Sequence, residues 1–275
     1  MSMSVNTNVG AQVALQNLNA SNAALALTQN RISTGKNVAS AKDNGAIWAI
    51  AQGQRADIGA LGAVKQSLDR GVAAVDVALA AGETVSDLLL QLKEKALSAT
   101  DSSLKTAARA ALNEDFKALR DQIASVTSNA EFNGINLLKT GATGFQALAN
   151  AQGTATLTVG AEVLSLGGSN VTISTTQSID TLTKATASLT AVSTSIDNVS
   201  AALARLGTKS KALSTHLSFV GKLTDALEAG VGNLVDADLA KESAKLQALQ
   251  TKQQLGVQAL SIANQTPQLV LSLFK

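Results

Sequence analysis

The sequence predicts a mainly α-helical protein, an elongated antiparallel coiled-coil bundle with a small β-hairpin region and paired N- and C-terminal helices. Apolar residues recur at spacings of three and four over long stretches, which is the period of an amphipathic helix. The chain of 275 residues has a single proline, Pro267, so these stretches are free to be helical. Hydrophobic residues make up 45% of the chain but aromatic residues only 2%, which favours closely packed helices over a core with a ligand pocket.

The first and last elements are predicted helices, from about Val5 to Ser33 and from about Asp236 to Phe274, each with a thin apolar stripe. Asn22 and Gln29 fill the heptad positions between the large residues of the first stripe, which are Leu15, Leu18, Leu25 and Ile32. Burial of four such side chains gains roughly 6–12 kcal/mol. Ordering about 28 residues costs on the order of 40 kcal/mol. We therefore expect both ends to need apolar surface from neighbouring chains.

Three internal stretches carry the bundle. The first runs from Leu61 to Ala96, and the second from Leu104 to Val126 after a polar break at Thr100–Ser103. This break predicts an antiparallel return. The third, Leu182–Leu234, keeps its apolar spacing over about 53 residues, which corresponds to a helix roughly 80 Å long. Helices of this length can pack only on comparable helices.

The composition changes between about residues 140 and 176, where Gly, Thr and Ser become frequent. Apolar residues alternate at Ala155, Leu157 and Val159, and Gly167-Gly168 supplies a turn signal. A second alternation occurs at Val171 and Ile173. These patterns predict short β-hairpins within an otherwise helical chain.

Composition and motifs indicate no catalytic, cofactor-binding or metal-ligating residues. The chain has no cysteine and one histidine, so thiolate sites and the His-Glu-x-x-His zinc motif are excluded. His216 lies between the apolar positions Leu213 and Leu217, and we expect it on a solvated helix face. Asp236 and Asp238 begin like a calcium loop, but the residues that follow lack the required oxygen ligands, so helix capping is the better interpretation.

Charge and hydropathy argue against nucleic acid and a transmembrane span. The net charge is +2 and the basic residues are scattered among acidic ones, so we expect no nucleic-acid binding. No apolar run approaches the ~18 residues of a transmembrane helix, and we expect no membrane insertion. Residues 1–10 lack the pattern of a secretory signal peptide, so any export is expected to use no cleaved signal.

Three sequence blocks resemble bacterial flagellin. The N-terminal block comprises Asn6-Thr7-Asn8, Arg31-Ile32-Ser33-Thr34-Gly35 and Ser40-Ala41-Lys42-Asp43. The internal block is Phe132-Asn133-Gly134 with Leu137-Leu138. The C-terminal block comprises Asp236-Ala237-Asp238, Glu242-Ser243, Ala263-Asn264-Gln265, Pro267-Gln268 and Val270-Leu271-Ser272-Leu273. The short centre of the chain resembles the alphaproteobacterial flagellins.

The resemblance implies a domain order. Residues 1–34 and 236–275 would form the terminal-helix core domain, residues 35–44 a connecting spoke, and residues 45–235 a coiled-coil bundle domain. The β-hairpin insert would lie within the bundle at about residues 140–176. The outer domains of longer flagellins would be absent.

The resemblance further implies a structural subunit that polymerises into the extracellular flagellar filament, with no enzymatic activity and no cofactor. The chain would be exported unfolded through the flagellar type III apparatus. Its partners would be other copies of itself, paralogous flagellins, an export chaperone at the C-terminal helix, and hook-associated and cap proteins.

Two sets of site residues follow. The filament-core interface is predicted to comprise Leu15, Leu18, Leu25, Ile32, Leu239, Leu246, Leu249, Leu260, Val270, Leu271, Leu273 and Phe274. Among these, the large residues of the two terminal helices are expected to meet as a two-helix core. Because some flagellins carry O-linked sugars, the candidate acceptors are Ser169, Thr172, Ser174 and Thr175.

The sequence is also compatible with other functions. A hook–filament junction protein of the same lineage is the nearest alternative. A secreted coiled-coil protein that inserts amphipathic helices into membranes is an alternative of another class. An enzyme is the least favoured, because His216 has no oriented catalytic partner in the sequence.

The apolar C-terminal tail is predicted to be an assembly contact. Deletion of Gln268–Lys275 is expected to abolish filaments, because the tail's apolar side chains would be exposed to water on a lone chain and are expected to be buried by a partner. The helical content measured by circular dichroism should stay nearly unchanged. Filaments at normal yield from the truncated chain would refute this assignment.

Overall fold

The computed structural model describes residues 7–272 of the backbone, with side chains described through Gln265. In chain order the elements are α1 (Val9–Thr34), α2 (Gly45–Ala99), α3 (Thr106–Asn129), β1 (Phe145–Leu148), β2 (Thr156–Val159), α4 (Leu182–Val235) and α5 (Leu239–Ser272). The prediction of a mainly helical bundle with a small β-hairpin is confirmed.

The chain divides into two compact units, one formed by Met1–Ala56 with Ala226–Lys275 and the other by Asp57–Asp225. Both divisions fall within long helices, α2 and α4. The domain order implied by the family resemblance, with boundaries near residues 34, 44 and 235, stays a prediction.

The core of the second unit is built from large aliphatic side chains and one phenylalanine. Its fully buried members include Leu68, Leu89, Leu92, Phe116, Ile123, Leu206 and Leu213. Within this unit α2 and α4 are antiparallel, since Asp76 accepts a hydrogen bond from Ser210 and Gly82 lies against Leu203. A Cβ atom on Gly82 would lie 2.5 Å from Leu203 Cδ2, so glycine permits this close approach.

The predicted return between α2 and α3 is confirmed at residues 100–105. Arg109, on the first turns of α3, donates from Nε to the carbonyl oxygen of Ala99 at 3.1 Å and from Nη2 to that of Asp101 at 2.7 Å. A cation at these carbonyls satisfies orphan acceptors and complements the dipole at the C-terminal end of α2.

The Phe132-Asn133-Gly134 element forms a tight turn directly after α3. Phe132 and Ile135 exchange two backbone hydrogen bonds of 2.9 Å across it. Asn133 and Gly134 have φ angles of 50° and 81°, the left-handed region that asparagine and glycine tolerate best. The turn leads directly into Leu137 and Leu138, both of which are buried.

The hairpin pairs β1 with β2 in antiparallel register, Phe145 opposite Val159 and Leu148 opposite Thr156. The alternation at residues 155–159 therefore predicted one strand correctly, whereas the strand at 145–148 was not predicted. The expected strand around Val171 and Ile173 is wrong. Both side chains are buried, but residues 171–174 have no regular structure, because Gly167 turns the chain and donates to Ile173 O at 2.8 Å.

Gly144 lets the chain enter β1, and its replacement by alanine is expected to destabilise the second unit. Its φ of 76° is strained for an L-residue, and an added Cβ would collide with the carbonyl oxygen of Val159. We expect Gly144→Ala to lower the free energy of unfolding by about 2–4 kcal/mol. Gly153→Ala is the matched control, because Gly153 has a φ of 70° but open space around its Cα. Equal losses for the two variants in thermal or denaturant unfolding would contradict this explanation.

Candidate assembly interface

The terminal helices α1 and α5 pair in antiparallel order along a seam. The residues least exposed on α1 recur at heptad spacing and are Ala11, Ala14, Leu18, Ser21, Leu25, Thr28 and Ile32. Those on α5 are Glu242, Leu246, Leu249, Gln253, Gly256, Leu260 and Ala263. Each set has the 3-4 spacing of a coiled-coil seam, but small and polar residues alternate with the leucines.

Asn8 ties the beginning of α1 to α5. Its side-chain oxygen accepts from the backbone N–H of Ala11 at 3.0 Å, which caps the helix. Its Nδ2 donates to the carbonyl oxygen of Ala263 at 2.7 Å. One side chain thus starts α1 and fixes its register against α5.

Two further polar contacts set the register along the seam. Gln253 Nε2 donates to Asn22 Oδ1 at 2.7 Å, and Arg31 Nη1 lies 3.2 Å from Glu242 Oε1. Between Asn8 and Asn22, α5 approaches α1 at a glycine, since a Cβ atom on Gly256 would lie 3.3 Å from Leu18 Cδ1. Together these contacts favour the observed alignment of the two helices.

Some buried polar atoms at the seam have no hydrogen-bond partner within the described part of the chain. Thr28 Oγ1, Arg31 Nε and Glu242 Oε2 are buried without a hydrogen-bond partner among the described residues. An unmade hydrogen bond at a buried polar atom costs about 1–3 kcal/mol. The pair is therefore held less firmly than the aliphatic core of the second unit.

A connecting segment, residues 35–44, joins α1 to α2 and lies against the junction between α4 and α5. Gly35 ends α1 with a φ of 68°, and its carbonyl oxygen accepts from Ala237 N at 2.9 Å. The backbone N–H groups of Asn37 and Val38 both donate to Val235 O, at 2.7 and 3.2 Å. Val38 is buried at 4% exposure, so its side chain anchors the segment.

The capping role predicted for the Asp236–Asp238 stretch is confirmed at Asp238, whose Oδ1 accepts from Lys241 N at 3.1 Å. Asp236 instead forms a backbone bridge with Lys36. Across residues 7–272 no group of three or more His, Cys, Asp or Glu could hold a metal ion. In the same described range no helix combines the length and apolarity that crossing a membrane requires.

Asp43 holds the connecting segment in shape. Its Oδ2 accepts from Ser40 N at 2.8 Å, from Ala39 N at 3.1 Å and from Ser40 Oγ at 3.1 Å. The backbone hydrogen bond from Ser40 is the main reason why the pKa of the Asp43 carboxyl lies below its ordinary value of 3.8. The ionised carboxylate is therefore the form that the folded segment favours.

Six of the predicted interface residues lie half-buried at the seam: Leu18, Leu25, Ile32, Leu246, Leu249 and Leu260. Leu15 and Leu239 do not join the two-helix core, because they are 47% and 49% exposed. The prediction that Asn22 and Gln29 fill the intervening positions of the stripe is wrong: Ser21 and Thr28 are the buried residues there, and Asn22 reaches Gln253 from the exposed edge of the seam. The side chains of Val270, Leu271, Leu273 and Phe274 lie outside the described residues.

A second apolar face on each helix was not predicted. On the side of α1 away from the seam lie Val9, Val13, Ala20, Ala23 and Leu27, all exposed. The corresponding side of α5 carries Ala244, Ala248, Leu255, Ala259 and Ile262, also exposed. A count of apolar residues on every helix face, instead of on the richest one, would have found both sets.

The candidate sugar acceptors differ in accessibility. Ser169 and Thr175 are exposed. Thr172 is exposed, but its Oγ1 donates to Ala191 O at 3.0 Å, and the Ser174 hydroxyl lies 3.1 Å from that of Thr176. O-glycosylation at these positions stays a prediction.

His216 does not lie on a solvated face as expected. It is half-buried, and its Nε2 lies 2.8 Å from the carbonyl oxygen of Ala149, in the loop between β1 and β2. The histidine thus fastens α4 to the hairpin. The sequence carried no signal for this contact, because the two residues are 67 positions apart.

Comparison with known proteins identifies similar chains over the full length. The family model described as the bacterial flagellin N-terminal helical region matches residues 5–143, and that of the C-terminal helical region matches residues 189–274. Flagellin FljM of Caulobacter vibrioides is 57% identical over 272 residues, which cover 99% of this chain and 98% of the relative. A flagellin of Brucella melitensis is 37% identical over 285 residues and 99% of both chains.

A solved structure of a Vibrio parahaemolyticus protein described as flagellar hook-associated is also similar. It has a TM-score of 0.56 and 14% sequence identity, and covers 70% of this chain and 100% of that one. At this identity the likeness shows the fold alone.

Asp43→Asn is expected to loosen the connecting segment. A lowered folded-state pKa means that the carboxylate stabilises the segment above pH 3.8 and that this stabilisation is lost as the pH falls through the folded-state pKa. Amide hydrogen exchange at Ala39 and Ser40, corrected for intrinsic rates, should therefore accelerate in the variant at pH 7 and in the unmodified chain at low pH. Lys42→Ala, at an exposed neighbour, serves as the control and should leave exchange unchanged. Equal protection of Ala39 and Ser40 in Asp43→Asn and the unmodified chain would contradict this role.

Proposed function

The chain belongs to the bacterial flagellin family and is a structural subunit of the extracellular flagellar filament, and we propose that its paired helices α1 and α5 are the segments that join copies in the filament core. The observation that carries this proposal is the second apolar face on each terminal helix. The seam covers one face of each helix, whereas residues such as Val9 and Val13 are 64% and 51% exposed on the other.

The exposed faces favour burial between copies over exposure to water. Full burial of a valine or leucine side chain gains about 1.5–3 kcal/mol. Leu27 is 40% exposed and Leu255 is 59% exposed, so much of this gain is unrealised on one chain. Alanines surround these side chains on both helices, and small residues let neighbouring helices approach closely.

The predicted interface residues take two roles in this proposal. The half-buried leucines and Ile32 hold α1 against α5, while the exposed Leu15 and Leu239 contact neighbouring copies. Val270, Leu271, Leu273 and Phe274 continue the C-terminal contact surface in the sequence. The polar seam suits this role, because a pair that is weakly held on its own can be strengthened by neighbours.

The remaining parts of the proposal rest on family membership. Residues 1–34 with 236–275 form the core domain, residues 35–44 the spoke and residues 45–235 the bundle domain. The chain leaves the cell unfolded through the flagellar type III apparatus, with an export chaperone on its C-terminal helix, and meets hook-associated and cap proteins at the filament ends. Loss of the chain from the medium of cells that lack the export apparatus would support this route, and continued secretion would refute it.

The hook–filament junction alternative has weaker support. Flagellins that are 45–57% identical to this chain match it over 98–99% of their own lengths. The likeness to a hook-associated protein stands at 14% identity and concerns the fold. The filament subunit is therefore the function that the comparisons favour.

A charge placed on the outer face of α1 tests the core-interface proposal. Val13→Asp with Leu27→Asp is expected to abolish elongation of filament seeds, because two carboxylates would have to be buried between copies. The isolated chain should keep its helical content, since both side chains are exposed on it. Growth is measured by electron microscopy and by light scattering.

The matched control adds the same two charges on the polar flank of α1. Gln12→Asp with Asn19→Asp changes two exposed polar residues and should elongate seeds at nearly the normal rate. Normal growth of the Val13 and Leu27 variant would contradict the proposal, and so would equal loss of growth in both variants.

A further inference from the structure

One face of α4 carries an exposed aromatic ring between two lysines. Phe219 is 54% exposed, although it is the kind of side chain that usually lies in a core. It borders shallow grooves whose walls include Lys211, Thr215 and Lys222. These four residues, which we call the Lys–Phe face, recur at helical spacing on the side of α4 opposite the buried Leu213 and Val220.

The Phe219 ring is held in place by His216. The two ring centroids are 5.7 Å apart at an interplanar angle of 39°. The same histidine is fixed by its 2.8 Å contact with Ala149 O on the hairpin loop. A supported aromatic ring loses little conformational freedom when a partner covers it, which is typical of a binding surface.

An acidic stripe runs along α2 on the side away from its buried residues, and one of its members, Asp76, also accepts a hydrogen bond from Ser210 of α4 at 3.2 Å. Its members are Asp69, Asp76, Glu83, Asp87 and Glu94, all of them exposed. Their spacings of seven, seven, four and seven residues place them on one face of the helix. Two close ion pairs of this unit involve side chains outside the stripe. Lys95 Nζ lies 2.8 Å from Asp115 Oδ2, and Arg205 Nη2 lies 2.6 Å from Glu162 Oε2.

The two surfaces match in charge and spacing. Lys211 and Lys222 are eleven residues apart, as are Asp76 and Asp87. Each pair therefore spans about 16 Å of helix. With the helices antiparallel, Lys222 meets Asp76 and Lys211 meets Asp87. Phe219 then falls opposite residues 79–80, where the exposed Ala80 leaves room for an aromatic ring.

The match cannot be made within one chain. Both surfaces point away from the same buried core of their unit, and α2 already lies beside α4 with Asp76 next to Ser210. Pairing of Asp76 with Lys222 requires a shift of twelve residues, or about 18 Å, along α4. A separate molecule must therefore supply the acidic face, and a second copy of this chain carries one on α2.

We propose that the Lys–Phe face of one copy docks on the acidic stripe of α2 in a second copy, as a contact between subunits of the filament. This inference rests on the proposed function, because it requires that copies of the chain assemble. It adds a contact between bundle units to the contact of the terminal helices. Opposite charges around a central aromatic residue would specify the alignment of the neighbours.

Charge reversal on each side tests the contact in seeded elongation by the full-length chain. Lys211→Glu with Lys222→Glu should slow elongation by about tenfold or more, because like charges would then face each other. Asp76→Lys with Asp87→Lys should do the same. The chain that combines all four substitutions should recover most of the rate, since the charges are opposite again. Lys93→Glu with Lys209→Glu is the control, because these lysines are exposed outside the Lys–Phe face.

The outcomes separate this inference from the proposed function. If the unmodified chain elongates seeds and the Lys211 and Lys222 variant grows equally fast, the inference is wrong and the proposed function stands. If each double variant is slow but their combination recovers nothing, the acidic stripe is not the partner and the inference is again wrong. Failure of the unmodified chain to elongate any seed overturns the proposed function itself. Circular dichroism of each variant monitors folding, and loss of growth counts only with unchanged helical content.

Discussion

Pairing of the terminal helices α1 and α5 is the interaction on which the first unit depends. The seam between α1 and α5 covers one apolar face of each helix, and the opposite faces carry Val13, Leu27 and Leu255 in water. Under the proposed core-interface role, helices of neighbouring copies would cover these faces. The incomplete hydrogen bonding of Thr28 and Glu242 weakens the pair further, and under the same proposal contacts with neighbouring copies would strengthen it.

The second unit, in contrast, buries many of its large aliphatic side chains within one chain. Its core contains fully buried leucines, isoleucines and Phe116, and the hairpin is attached to it by specific contacts. Leu148 N donates to Ser67 Oγ at 3.1 Å, while His216 reaches the hairpin loop from α4. Because the core side chains are already buried within one chain, the outward surfaces of the unit, such as the Lys–Phe face, are free to contact other molecules.

The sequence determined the fold class, because apolar spacings of three and four over long stretches with one proline allow little other than packed helices. It also located one strand, the return after α2 and the cap of α5, which are set by local chemistry. Family resemblance in the terminal blocks indicated the filament subunit.

The tertiary structure decided what depends on contacts between distant residues. It selected Ser21 and Thr28 over Asn22 and Gln29 for the seam, because a helix face is chosen by what packs on it. It brought β1 to β2, left 171–174 irregular, and turned His216 from a surface residue into a support for Phe219. Periodicity shows that a helix has an apolar face, whereas only the packed structure shows which faces are still uncovered.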